Sequence, residues 1–373
     1  MSRISTVRDE QQTTAEGMAD AILNRIAPAT QLTENGRRFR GMSMMEMSRE
    51  VLQASGVNVR GMDRMAVAAA ALAMRGMGAS SDFPSIIANV GNKRLRQAYT
   101  ENPPSYKAWA RQAPNAPDFK QITVAQLGGM PDLLQVKEHG EFQYGSMKDG
   151  GETYSLLTYG RIISLSRQAL INDDLRAFNV ALTSFGGASA RLENRTVYAQ
   201  LIANAAMADG VALFDAASHK NLATGAGSSL QLTALAAMRL AMRTQKGLQT
   251  EELNIAPQFL IVPSSLEQVA YQLTSSNYVP AKQSDVSEFR QGGRTSLEPI
   301  IEPILDGVSG TAWYAAANSS QIDTVEYCYL DGAEGPVLES QMNFNVDGML
   351  LKCRLDFAAK AIDFRGLYKS NGV

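Results

Sequence analysis

Few residues in this chain have types and spacings that could carry out chemistry. Only two histidines occur, His139 and His219. A Ser-His-Asp arrangement needs three groups that the fold brings together, which spacing alone does not forbid. No G-x-S-x-G nucleophile elbow is present, since Gly187-Ala188-Ser189-Ala190-Arg191 fails at its last position. There is no P-loop, no G-x-G-x-x-G, no H-E-x-x-H and no C-x-x-C. The carboxylate pairs Asp173-Asp174 and Glu251-Glu252 fit helix starts, where they offset the positive end of the helix dipole. The two cysteines, Cys328 and Cys353, lie in strand-like runs and read as buried free thiols rather than a zinc site or disulfide. No catalytic, cofactor or metal site is expected, and the histidines read as structural.

The elements that would position these residues are more informative. Gln135–Tyr144 and Thr153–Leu165 read as extended, and Gly145-Ser146-Met147-Lys148-Asp149-Gly150-Gly151 between them is turn chemistry. This predicts a long polar hairpin with Gly145, Met147, Lys148, Asp149 and Gly150 at its tip. Such a hairpin has little core of its own and needs another surface to lie on. A long helix follows, capped by Asn172, Asp173 and Asp174 and running to about Asp209. Its apolar residues Leu175, Phe178, Leu182, Phe185 and Leu192 share one face. Gly186-Gly187 interrupts that face at a cost of about 2 kcal/mol relative to alanine, which predicts a bend or a close crossing. Two separate helices are the alternative.

Elsewhere the pattern is mixed. Residues 1–40 read as an arm with a weak helix over Thr14–Ile26. Helices are expected over Met44–Ser55, Asp63–Met74 and Pro84 to about Tyr99, the last opened by Ser80-Ser81-Asp82-Phe83-Pro84 as an N-cap with proline in the first turn. Residues 104–134 read as irregular, with prolines at 104, 114, 117 and 131. A helix follows from Leu232 to Gln245, a buried strand over Ala256–Pro263, and a helix over Ser264–Thr274 capped by Ser264 or Ser265. Residues 275–297 read as a loop. Strands are expected over Glu298–Leu305, Ala312–Ala316 and Thr324–Leu330, and through the alternating C-terminal stretch. The order is not βαβ, so the fold class is α+β.

At 373 residues the chain can build two or three cores, and its 45% hydrophobic and 19% charged composition is that of a globular protein. A net charge of -2 argues against a dedicated nucleic-acid binder. Lys93, Arg94 and Arg96 form one short basic cluster, read as a solvated helix face or a contact with packaged nucleic acid. The 17 methionines include a dense group, Met42, Met44, Met45, Met47, Met62 and Met65, suited to core packing or an adaptable interface. No signal peptide is expected and no window approaches the roughly 20 apolar residues of a membrane span. The chain therefore reads as soluble and made in the cytoplasm.

Several segments, in order from about residue 37 onward, resemble the Mu-like major capsid (head) subunits of tailed phages and prophages. They include Phe39-Arg40-Gly41-Met42-Ser43, Gly56-Val57-Asn58-Val59-Arg60-Gly61-Met62, Ser81-Asp82-Phe83-Pro84 and Tyr159-Gly160-Arg161. Ser166-Arg167-Gln168-Ala169-Leu170-Ile171-Asn172-Asp173-Asp174-Leu175, Asp209-Gly210-Val211-Ala212-Leu213-Phe214 and His219-Lys220-Asn221-Leu222 continue the match. Trp313-Tyr314 and Ala361-Ile362-Asp363-Phe364-Arg365-Gly366-Leu367-Tyr368 complete it.

The resemblance implies the Hong Kong 97-type capsid fold. Residues 1–104 would be an N-terminal arm with flanking helices, and 105–165 a linker and E-loop hairpin. Residues 166–225 would be the P domain with its spine helix, 226–325 the A domain, and 326–373 a return to the P domain. The spine would start at Asn172, Asp173 and Asp174 and bend at Gly186 and Gly187. It implies self-assembly as pentamers and hexamers into an icosahedral virion shell around double-stranded DNA, touched without sequence specificity. A portal, a prohead protease and a scaffold are implied partners, with no membrane and no turnover. Lys148 suits the crosslinking lysine of some capsids of this fold. An encapsulin-like nanocompartment shell is the alternative, and a soluble hydrolase using His219 a remote one.

Overall fold

The computed structural model describes residues 7–28, 30–73, 83–127, 149–166, 168, 171–173, 175–248, 251–277, 287–292, 295–343 and 348–372. The elements begin with helices α1 (Val7–Ile26), α2 (Glu34–Arg37), α3 (Met44–Ala54), α4 (Arg64–Ala73) and α5 (Phe83–Glu101). Strands β1 (Arg111–Gln112), β2 (Ile122–Leu127), β3 (Asp149–Tyr154) and β4 (Leu157–Ser166) lead to helix α6 (Leu175–Ala203). Then come β5 (Leu222–Ala223), α7 (Leu232–Arg243), β6 (Pro257–Val262), α8 (Glu267–Thr274), β7 (Glu298–Ile301) and α9 (Pro303–Asp306). Strands β8 (Trp313–Ala317), β9 (Val325–Tyr329), β10 (Val337–Asn343), β11 (Gly348–Ala361) and β12 (Leu367–Ser370) end the chain. The mixture is α+β, as its pattern predicts.

The chain divides into two compact units. The first comprises Met1–Pro103, Thr158–Arg191 and Gly332–Asp356; the second comprises Pro104–Leu157, Leu192–Asp331 and Phe357–Val373. Helix α6 and strand β11 each give their first part to the first unit and the remainder to the second.

In the first unit, α3 shows how local sequence sets an element. Ser43 and Glu46 form a capping box, with the Glu46 N–H donating to Ser43 Oγ (3.3 Å) and the Ser43 N–H donating to Glu46 Oε2 (2.7 Å). The helix buries Met44, Met45, Met47, Val51 and Leu52 and leaves at Gly56, whose φ of 81° suits glycine. These side chains join a core with Phe83, Ile86, Ile87, Val90 and Leu95 of α5 and Leu175, Phe178 and Leu182 of α6. Leu338 of β10 and Leu351 and Cys353 of β11 complete it. Each such buried side chain contributes about 1.5–3 kcal/mol of transfer free energy. The stretch read as a polar arm holds the 20-residue α1, and Met18, Ala19 and Ile22 are buried in this same core. β10 pairs antiparallel with β11, and β4 pairs with β11.

In the second unit, a sheet runs in the order β5-β12-β8-β6-β7. β8 is buried at all five positions, as a central strand must be. Leu235, Met238 and Met242 of α7 and Ala270 of α8 pack with Leu260, Val262 and Trp313 of the sheet. β9 pairs antiparallel with Phe357–Ala361 of β11 and parallel with β1. A smaller cluster gathers Ala113, Ala116, Tyr154, Leu156, Cys328, Ala358 and Ile362.

Several expectations are corrected. Residues 104–134 are not irregular throughout, because β2 pairs antiparallel with β3 from Ile122↔Tyr154 to Leu127↔Asp149. Thr153–Leu165 is two strands with different partners, β3 with β2 and β4 with β11. The predicted partner Gln135–Tyr144 lies outside the described residues. Helix α6 ends at Ala203, not near Asp209, and passes Gly186-Gly187 unbroken. Glu298–Leu305 is a strand only to Ile301 before Pro303 starts α9. Ser264 and Ser265 do not cap α8 through their side chains: Asp306 accepts their backbone N–H groups (2.7 and 3.0 Å) around a preceding 3-10 turn.

Candidate assembly site

Strands β3 and β4 carry what the structure describes of the predicted hairpin, and β3 pairs with β2 as a ribbon. Gly145, Met147 and Lys148 lie outside the described residues, and so does His139. Asp149 and Gly150 are strand residues of β3, opposite Leu127 and Gln126, rather than turn residues. Just beyond the glycines of β3, Glu152 and Tyr154 share one face of the strand. Both are buried at the root of the ribbon. Glu152 accepts the Ala208 N–H (2.5 Å) and lies 3.5 Å from the Lys360 ammonium. Tyr154 donates its hydroxyl to Glu326 Oε1 (2.7 Å). Burial, then the hydrogen bond to that carboxylate, push the Tyr154 phenol far above its ordinary range.

In the first unit, Asp173 of the predicted α6 cap turns its carboxylate to α1 and α3. Asp173 takes a φ of 55°, and its carboxylate turns to Arg25 of α1, with Nη2 2.5 Å from Oδ2. It also accepts the N–H of Met44, the first residue of α3, at 3.1 Å. The Asp173 carboxylate therefore ties α1 and the start of α3 together. Asn172 is exposed, and Asp174 lies outside the described residues.

Gly186 and Gly187 sit in unbroken helix with different surroundings. A Cβ at Gly186 would lie 2.9 Å from both the Ala98 Cβ and the Tyr99 nitrogen of α5. This is the close crossing that the glycine pair predicts, with no bend required. A Cβ at Gly187 would meet only the Arg191 guanidinium, at 3.3 Å. Beside the crossing, Arg94 is buried and donates to Asn179 (2.9 Å) and Glu101 (3.0 Å), while Lys93 pairs with Asp20 (3.0 Å). Lys93, Arg94 and Arg96 are thus not one solvated basic face. Of the methionine group, Met44, Met45 and Met47 are core and Met65 is 49% exposed.

His219 is 3% exposed and stacks on Phe364 with ring centroids 3.6 Å apart. Its Nε2 lies 2.8 Å from Asp209 Oδ2 and its Nδ1 3.2 Å from the Leu213 carbonyl. Asn221, fully buried, donates to the Leu213 and Phe364 carbonyls. Beside Phe364, Arg365 and Asp363 form a buried pair at 3.1 Å. This is a structural histidine, and its ring is committed to the packing of the second unit. Burial alone would raise the Asp209 carboxyl, but hydrogen bonds from His219 and the Val211 N–H hold it below its ordinary value. Cys328 and Cys353 are both buried free thiols, and burial pushes each thiol up. Among the described residues no group of three or more His, Cys, Asp or Glu side chains could hold a metal, and no helix is long and apolar enough to cross a membrane.

Sequence reasoning missed Glu152, Tyr154 and Arg25. Each is an ordinary residue type whose partner lies 56, 172 and 148 positions away, and no local spacing marks it.

Comparison with known proteins places these elements in context. No curated protein matches the chain in sequence. Among solved structures, the chain is similar to one from Gordonia phage Cozz, at 9% identity over 71% of this chain and 85% of that one, with a TM-score of 0.46. It is also similar to a virus-like particle from Pyrococcus furiosus (10% identity, 75% and 97% covered, TM-score 0.46). The procapsid of bacteriophage JBD30 is a third (13% identity, 75% and 72% covered, TM-score 0.40). In sequence, the phage capsid protein family profile matches residues 151–370, from within β3 through the end of β12. With more than half of its length so matched, this chain belongs to the phage capsid protein family and is a major capsid shell protein.

Proposed function

We propose that the chain is the repeated tile of a Mu-like tailed-phage head with the Hong Kong 97-type arrangement. Copies meet as pentamers and hexamers and close into an icosahedral shell around double-stranded DNA. The family match over residues 151–370 is the observation that carries this reading. In it, the β2–β3 ribbon is the root of the E-loop, which spans Gly145, Met147 and Lys148. Helix α6 is the spine of the P domain, 226–325 the A domain, 326–373 the return to the P domain, and the N-terminal region an arm with flanking helices. The subunit is made in the host cytoplasm and works with a portal, a prohead protease and a scaffold. Its work is containment rather than turnover.

Negative-stain electron microscopy of the purified chain, with analytical ultracentrifugation, tests this. Closed shells, tubes, or rings of five and six are expected. A stable monomer that forms no particles with scaffold and protease supplied would overturn the reading. Shells that enclose a protein cargo in place of nucleic acid would overturn its DNA-container part.

A further inference from the structure

In the second unit, a cavity of about 250 Å³ opens beside α7 and the start of β6. Its polar lining is dominated by hydrogen-bond donors. Arg239 and Arg243 lie four residues apart on α7, hence on one helical face, and both line the cavity. Arg239 is set by its stacking over the Phe289 ring (5.0 Å) and donates to Thr295 Oγ1 (3.1 Å). Its nearest carboxylate, Glu288, stands 3.6 Å away and is 73% exposed, so it offsets little of the charge. Arg243 donates to Asn254 Oδ1 (3.1 Å), a neutral acceptor.

Two carboxamides add donors of fixed orientation. Gln321 Oε1 accepts the Ala256 N–H (3.2 Å). Gln258 Oε1 accepts from Asn318 Nδ2 (2.6 Å), while Asn318 Oδ1 accepts the Ser320 N–H (2.8 Å). A backbone N–H can only donate, so each arrangement fixes which end of the amide is oxygen. The NH2 groups of Gln258 and Gln321 are thereby left as donors, with no acceptor among the described residues. Arg239, Arg243, Gln258 and Gln321 thus line one cavity, contributed by α7, β6 and the turn at 318–321.

An electropositive cavity of this make-up calls for an oxyanion, and guanidinium forks match phosphate oxygens well. A planar carboxylate is satisfied by one guanidinium edge, whereas donors from three elements suit a tetrahedral anion. We propose that this cavity is a phosphate-binding site. The phosphate group could come from free inorganic phosphate or from a nucleic-acid backbone.

Isothermal titration of the full-length chain with sodium phosphate, and separately with a short DNA duplex, at constant ionic strength set by chloride, tests the site. Acetate serves as the carboxylate control. Phosphate is expected to bind and acetate not. Arg243→Gln should weaken binding about tenfold or more, the loss of one charge-assisted contact. Gln321→Glu should abolish it, because it keeps an acceptor for the Ala256 N–H but replaces the NH2 donor with a negative oxygen. Circular dichroism of both variants should match the parent. Saturation by inorganic phosphate alone identifies a free anion as the source, and duplex binding lost in the same variants identifies the nucleic-acid backbone. Phosphate behaving like chloride, acetate binding equally well, or binding unchanged in both variants would overturn the proposal. So would assembly blocked by Arg243→Gln with no phosphate or duplex bound, which would mark the cavity as a contact between copies.

Discussion

At the α5–α6 crossing, contact is made by a side chain that is missing; at the root of the β2–β3 ribbon, it is made by two that are buried and polar. Gly186 lets Ala98 and Tyr99 approach to a distance that no Cβ tolerates. Glu152 and Tyr154 hold the ribbon through the Ala208 N–H, Lys360 and Glu326. The first contact is steric and tolerates no larger residue. The second is electrostatic, and losing one partner strands the other away from water. Steric contacts leave a trace in local sequence, since two glycines inside a helical pattern demand a reason. Electrostatic ones between distant residues leave none.

The comparison can be pressed hardest at the crossing. Gly186→Leu is expected to destabilise the subunit by about 3 kcal/mol or more, since backbone and a short Cβ cannot yield; urea denaturation would measure it. A smaller loss, about 2–3 kcal/mol, is expected for Glu152→Ala, which leaves the Ala208 N–H and the Lys360 ammonium without their carboxylate. If that variant kept full stability, the ribbon root would be held by packing instead. Tyr154→Phe should cost about 1–2 kcal/mol by taking the hydroxyl donor from the buried Glu326, again read by urea midpoint.

Acid should act on the second unit through Asp209. Its carboxyl is held below the usual range in the folded chain, so its contribution is complete above the unfolded value of about 3.9 and fades as pH falls below it. A Tm-against-pH series should show this decline, and Asp209→Asn should flatten it. The smallest effect has the opposite sign. Gly187→Ala should stabilise by about 0.5–1 kcal/mol, because helix propensity improves and only a movable guanidinium stands nearby. Together with Gly186→Leu it separates a glycine that is needed from one that is not.

Much of the helical frame was legible. Gly56 marks the exit of α3, and the helical stretch from Leu232 marks α7. Buried strands such as β6 and β8 show as short apolar runs. The pairing of β2 with β3 was not legible, because the prolines at 114 and 117 suggest irregular chain and no local pattern marks Ile122–Leu127 as the partner of Asp149–Tyr154. The destination of Asp173 was equally hidden. Asn-Asp-Asp before an apolar run is a sound capping signal, yet Arg25, 148 positions earlier, provides a stronger partner for the carboxylate. Of the glycine pair, Gly186 sits at a close crossing while Gly187 does not, and the helix passes both without a break. Asp149 and Gly150 were assigned to a turn because their chemistry permits one, although a strand accepts them when a partner is present.

The two cysteines have a practical consequence. Cys328 is fully buried and Cys353 nearly so, neither is bonded to the other, and burial disfavours the thiolate of both. Maleimide reagents should therefore pass over the native chain. A single cysteine introduced at an exposed polar position such as Gln53 would become the one reactive thiol per copy. In a closed assembly of identical copies, that single change would be repeated at every equivalent point, giving a lattice of chemical handles whose spacing is set by the subunit itself.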